Sequence, residues 1–158
     1  YYARGMAFEK TMIAILDADA ALPRAQRRWL GDFERPRIET HVGVSKVDFR
    51  YADVLVIEER PPPGEPPRVE TFSFKSRNLR LLDPDELTVQ VNADASNAMR
   101  HYGGSRKILR DGMRQQAAVK RVRLVYEGGE LLPQKRKMFG DAVDAAQEKI
   151  RGVEVLSQ

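Results

Sequence analysis

Two runs of alternating residues, 47–58 and 68–77, flank the segment RPPPGEPP at 60–67. Folded into a hairpin centred on Gly64, they set Asp53 opposite Lys75, Leu55 opposite Ser73, and Glu58 opposite Glu70. Val54, Val56, Phe72 and Phe74 then share one face, and Asp53, Ser73 and Lys75 share the other. A carboxylate and an ammonium inside apolar strands are costly to bury unless they are paired or put to use. The pair is either a structural ion pair at a sheet edge or a working acid and cation. The placement depends on register, because a one-residue slip exchanges the two faces.

Other groups with chemical potential follow. Gln90, Asp94, Asn97 and His101 fall on one stripe of a helix, beside an apolar stripe of Leu87, Val91, Ala95, Ala98 and Tyr102. The plain alternative for that polar stripe is a solvated helix face. Arg77 and Arg80 come just after Lys75. Arg100, Arg106, Lys107, Arg110, Arg114, Lys120, Arg121 and Arg123 then crowd one stretch with a single acid, Asp111. Gathered on one surface, such residues would contact phosphates. The two histidines, His41 and His101, would suit general acid–base cleavage of RNA without a metal if the fold brought them together. Gly103-Gly104 lacks the spacing of a phosphate-cradling glycine loop.

The elements that must position these groups are legible from periodicity. Residues 6–21 read as a helix with Phe8, Met12, Ile15 and Leu16 as its stripe, and Ile13 off it. Pro23 suits the start of a second short helix over 24–30, closed by Gly31, with Trp29 anchoring it to the core. Residues 37–45 alternate as a first strand, 47–58 as a second and 68–77 as a third. The proline segment between the last two cannot be helical. Asp83-Pro84-Asp85-Glu86 is a helix start with a cap, a first-position proline and a glutamate three residues after the cap. That helix runs to Tyr102, and a partly helical basic stretch follows. Residues 119–127 are a strand, 134–151 a closing helix with Phe139, Val143, Ala146 and Ile150 on one face, and 153–156 a short last strand. The order predicts one α/β domain over 1–158: a mixed sheet, made of an antiparallel three-strand meander plus a crossover strand, flanked by helices.

Composition is compatible with this. The chain has 158 residues, of which 42% are hydrophobic and 32% charged, and a net charge of +4. The pI is about 9.5 and the mean hydropathy −0.52. A mild basic excess fits a polyanionic partner. The absence of cysteine excludes disulfides, zinc–thiolate sites and cysteine nucleophiles. No apolar run is long enough to span a bilayer, so no membrane partner is expected. The chain opens Tyr1-Tyr2-Ala3 without Met and reads as a piece of a longer polypeptide.

A helix, a meander with Asp53 in its second strand and Lys75 in its third, then a helix and a further strand resemble the core of the PD-(D/E)XK, restriction-endonuclease-like, nuclease superfamily. The resemblance covers about residues 6–127. It implies hydrolysis of phosphodiester bonds, DNA before RNA, with magnesium or manganese. Asp53 would be a metal ligand and Lys75 the catalytic lysine that orients water and stabilises developing charge. Gln90 would match a glutamine that several branches place near the site. The third-strand acid position holds Ser73, in the run Ser73-Phe74-Lys75, and serine binds magnesium far more weakly than a carboxylate. Glu9, Glu70 and Asp48 are the acids that could replace it. Regular alternation puts Glu70 and Asp48 on the wrong face, which favours Glu9.

Arg77, Arg80, Arg106, Lys107 and Arg110 would contact nucleic acid. Size, core and opening residues also resemble the toxin domain at the end of a secreted bacterial polymorphic toxin. That implies a cognate immunity protein and action in a target cell's cytoplasm. Two other expectations stand beside the nuclease: an inactive module of the same fold that binds nucleic acid or a protein, and a metal-independent RNase using His41 and His101.

Overall fold

The computed structural model describes the backbone of residues 2–40, 43–45, 49–51, 54–102, 104–109 and 116–158, and side chains within 3–40, 54–100 and 119–158. Helix α1 (Tyr2–Ala21) buries Phe8, Met12 and Leu16 on the sheet, and Ile13 packs half-buried against the same cluster. Residues 24–30 do not form the expected second helix; only a single 3-10 turn forms, Arg24–Gln26. The cause is Asp19. Its buried carboxylate accepts the backbone N–H groups of Arg28, Trp29 and Leu30 at 2.9, 3.1 and 2.9 Å. Those N–H groups are then not available to carbonyls one helical turn back. Trp29 is buried beside Leu30 and Phe33, as the anchor expected of it.

The first two expected strands each divide. The strands are β1 (Pro36–Thr40), β2 (Gly43–Ser45), β3 (Phe49–Tyr51), β4 (Val54–Glu58) and β5 (Val69–Lys75). After α2 (Pro84–Tyr102) come β6 (Gly104–Leu109), β7 (Gln116–Tyr126), α3 (Arg136–Lys149) and β8 (Val153–Ser157). They form one mixed sheet in the order β1-β4-β5-β7-β6-β2-β3, with β8 also on β7. Pairing is antiparallel for β1/β4 and β4/β5, and parallel for β5/β7 and β7/β8.

An α/β mixed sheet flanked by helices is therefore present, but the chain does not run as an uninterrupted meander. Between β1 and β4 it leaves for the far side of the sheet, where β2 and β3 pair with each other and β2 with β6. The basic stretch after α2, expected to be partly helical, contributes β6, antiparallel to β7. Long-range pairing overrides local propensity there.

The β4/β5 register is two residues from the Gly64-centred one: Leu55 faces Thr71, Val56 faces Glu70, and the Glu58 N–H donates to the Arg68 carbonyl. The chain turns at Pro62–Glu65, closed by the Glu65 N–H on the Pro62 carbonyl, with Gly64 third in the turn at φ 81°. Proline second and a positive-φ glycine third are the requirements of a type II turn. A two-residue shift conserves faces, so Val54, Val56, Phe72 and Phe74 share the α1 face as expected.

The other face carries Val122, Leu124 and Tyr126 of β7 with Val153 and Val155 of β8, under Leu87, Val91, Ala95 and Ala98 of α2 and Phe139, Ala142 and Ala146 of α3. Asp83 and Glu86 form the expected reciprocal cap of α2: the Glu86 N–H donates to Asp83 at 2.8 Å and the Asp83 N–H to Glu86 at 3.1 Å. Gly152, at φ 88°, turns α3 back into β8 where a Cβ would meet the Met99 methyl at 2.9 Å. Among the described residues no helix is long and apolar enough to cross a membrane.

Candidate active site

Lys75 closes β5, half-buried, and pairs across the parallel ladder with Tyr126. Ser73, two residues back, is buried and pairs with Leu124. Leu124 and Tyr126 belong to the core beneath α2. Strand alternation therefore turns Ser73 and Lys75 toward α2.

On α2, Asp94 is buried and collects four hydrogen bonds. Arg77 donates from Nε at 2.8 Å and from Nη2 at 3.0 Å. The Tyr126 hydroxyl donates at 2.7 Å, and Gln90 Nε2 at 3.1 Å. Burial first, then the neighbouring Asp94 charge, push the Tyr126 phenol far up, so it stays a protonated donor. Arg77 and Gln90 thus meet at Asp94, a member of the polar stripe of α2, and Ser73 and Lys75 lie on the same side of the sheet. The signal for Asp94 was present in spacing: Leu87, Val91, Asp94 and Ala98 follow the 4-3-4 rhythm of a buried stripe. Tyr126 carried no comparable mark.

Asp53 and Asp48 lie outside the described residues, as do Arg110, Arg114, Asp111 and His41. Glu70 is turned away from Lys75. Glu70 lies on the α1 face with Phe72, fully buried among arginines: Arg68 at 2.8 Å, Arg121 at 3.2 Å and Arg123 at 3.5 Å. Glu9 is on α1, the helix covering that same face. Among the described residues no group of three or more His, Asp or Glu side chains is placed to hold a metal ion.

The basic run also divides. Arg121 and Arg123 turn inward, onto Glu70 and Glu154. The Arg123 guanidinium further donates to the Trp29 carbonyl. These two are structural cations, not phosphate contacts, because buried charge is tolerated only with its counter-charge. Lys120 and Arg80 are exposed, and Arg100 donates to Asn97 at 2.8 Å. Arg106 and Lys107 are on β6, and His101 near the end of α2, with side chains outside the described set.

Elsewhere, a cavity of about 660 Å³ opens between the 24–34 segment and the proline loop, lined by Arg24, Glu34, Arg60, Glu65 and Lys120 among others. Its charges are mixed, which favours no single ligand sign.

Comparison of the chain with protein-family models, with curated proteins and with solved structures finds no match.

Proposed function

We propose that this domain is a restriction-endonuclease-like, metal-dependent nuclease, cleaving DNA in preference to RNA, and that it serves as a bacterial toxin effector held in check by an immunity protein. The observation that supports it best is the placement of Lys75 at the end of β5, on the α2 side of the sheet with Ser73, Gln90 and Arg77. A half-buried ammonium at a strand end, next to an arginine, is suited to a phosphodiester whose charge grows during attack. Asp53 would hold the metal; magnesium characteristically needs only one or two carboxylates and takes its other ligands from water and phosphate. Bound there, it would polarise the phosphorus centre and lower the pKa of attacking water. Lys75 would orient that water, Ser73 would line the site, and Arg77 with Arg80, and Arg106, Lys107 and Arg110 of the basic stretch, would hold the strand.

Cleavage of plasmid DNA and of total RNA, with magnesium and with EDTA, tests this against Asp53→Ala and Lys75→Ala. Magnesium-dependent cleavage by the native chain, abolished in both variants, is the expected result. One observation favours a second reading, an inactive module of the same fold that binds nucleic acid or a protein. Ser73 stands in the acid position, and Asp94, a described acid on its side of the sheet, is engaged by Arg77. Absence of cleavage with either substrate would make that reading the better one.

A further inference from the structure

We infer that the 60–67 loop is a docking segment for a protein domain whose groove is walled by aromatic side chains and ends at a carboxylate. The inference stands apart from the nuclease reading: the loop precedes β5, which begins at Val69, and Lys75 closes the other end of that strand.

The connection is longer than a reversal of the chain requires. β4 ends at Glu58 and β5 begins at Val69, whereas a hairpin turns in about two to five residues. The reversal itself takes place at Pro62–Glu65. Five of the eight residues over 60–67 are proline, with no N–H to give to a ladder. Each proline fixes its own φ, and Arg60, Pro61 and Pro62, each followed by a proline, are kept out of the helical region. With Pro63 second in a type II turn, residues 60–63 are restricted to the left-handed polyproline conformation, and Gly64 at φ 81° ends it. That helix has about three residues per turn, so Arg60 and Pro63 stand on one edge of it. A segment restricted before it binds loses little freedom on binding.

Exposure and charge select the occupant. Arg60 and residues 62–66 are exposed, and the cavity of about 660 Å³ behind the loop is lined by Pro61, Pro62, Pro63 and Pro66, so the proline rings are within reach of a partner. Uncharged rings without N–H groups offer nothing to phosphates; they pack on aromatic walls, which is how proline-rich segments are recognised. Arg60 and Arg68 flank the loop symmetrically about Gly64, but Arg68 is engaged by Glu70 at 2.8 Å and Asp32 at 3.5 Å. The exposed cation is thus the one that precedes the prolines, and the partner's carboxylate belongs at that end of its groove.

The test titrates the isotope-labelled full chain with SH3 and WW domains, which carry aromatic-walled grooves for proline-rich segments, and follows the amide signals of Gly64 and Glu65. At least one class of domain should bind and shift them. Pro62→Ala combined with Pro63→Ala should weaken that binding roughly tenfold or more, and Arg60→Glu, which turns attraction into repulsion, by a similar factor. All three positions are exposed, so both variants should keep the native circular dichroism spectrum. Binding at the loop by a chain that cleaves neither DNA nor RNA would count against the nuclease reading and leave this inference standing. No shift with any of the domains, or binding that either variant leaves at native strength, would overturn it and make the prolines a rigid hairpin connection and nothing more.

Discussion

Tyr126 and Asp94, 32 positions apart, join β7 to α2 through a hydrogen bond of 2.7 Å from phenol to carboxylate. The ring does separate work: it is fully buried and meets Phe139 edge-on at 5.8 Å. Tyr126→Phe keeps the ring contact and removes the donor to a charged acceptor. A bond of that kind contributes about 1.5–3 kcal/mol. Urea unfolding of Tyr126→Phe should show a loss in that range with an unchanged denaturant slope, since the surface exposed on unfolding is the same. A loss within error of zero would mean that Arg77 and Gln90 alone satisfy Asp94.

Asp19 does for the loop after α1 what Asp94 does for the α2 face. Three consecutive N–H groups converge on its carboxylate. Asp19→Ala leaves them without an acceptor in a largely buried place, at about 3 kcal/mol or more. Trp29 is the only tryptophan and is donor to this carboxylate through its backbone, so its fluorescence reports the site directly. Asp19→Ala should shift the emission to the red and raise its quenching by iodide, and Asp19→Asn, which keeps one acceptor oxygen, should do less. Identical spectra in all three proteins would contradict the role assigned to Asp19.

Two glutamates make stability fall with acid. Burial works against the Glu58 charge, but the N–H groups of Arg35, Glu34 and Arg60 outweigh it and hold its carboxyl below the ordinary 4.5. The hydrogen bond from Arg4 leads in holding Glu127 low, opposed by burial and helped by Ser76. A carboxyl with a depressed folded-state pKa contributes stability that is full above its unfolded value and is lost as pH falls through the folded one. Unfolding midpoints should therefore be level at about pH 6 and drop below about pH 4.5. Glu58→Gln should lower the plateau and flatten the drop. A drop of unchanged depth in that variant would assign the acid sensitivity to other groups.

What could be read from the chain was chemistry that closes locally or repeats. The Asp83–Glu86 cap closes within three residues, and the shared face of Val54, Val56, Phe72 and Phe74 follows from alternation alone. The register did not, because Gly64 looks like the centre of the loop and is instead the third residue of its turn. The spacing of Asp94 marks it as buried, but its partners Arg77 and Tyr126 are 17 and 32 positions away, so nothing local identifies the donors that the fold supplies. The basic run misled in the same manner. Arg121 and Arg123 resemble Lys120 in sequence, yet their counter-charges come from β5 and β8.

Glu70 separates a structural acid from a metal-binding one. Its side chain is fully buried, and Arg68, Arg121 and Arg123 all approach it. Removing one partner of a buried ion network leaves uncompensated charge, at about 3–5 kcal/mol. Glu70→Gln keeps the shape, removes the charge and leaves three guanidinium groups close to one another, with Glu154 and Asp32 as the acids that remain beside them. The variant should unfold at markedly lower urea concentration, and Glu70→Gln combined with Arg121→Met should recover part of the loss, since the second change removes the repulsion created by the first. Metal dependence provides the contrast. On the nuclease reading, with Glu70 on the α1 face and Lys75 turned toward α2, manganese binding, followed by its paramagnetic signal, should be equal in the native chain and the folded fraction of Glu70→Gln and absent in Asp53→Ala. Weakened manganese binding in a Glu70→Gln protein of native-like spectrum would return Glu70 to the list of ligands and require β5 to present both faces to one site.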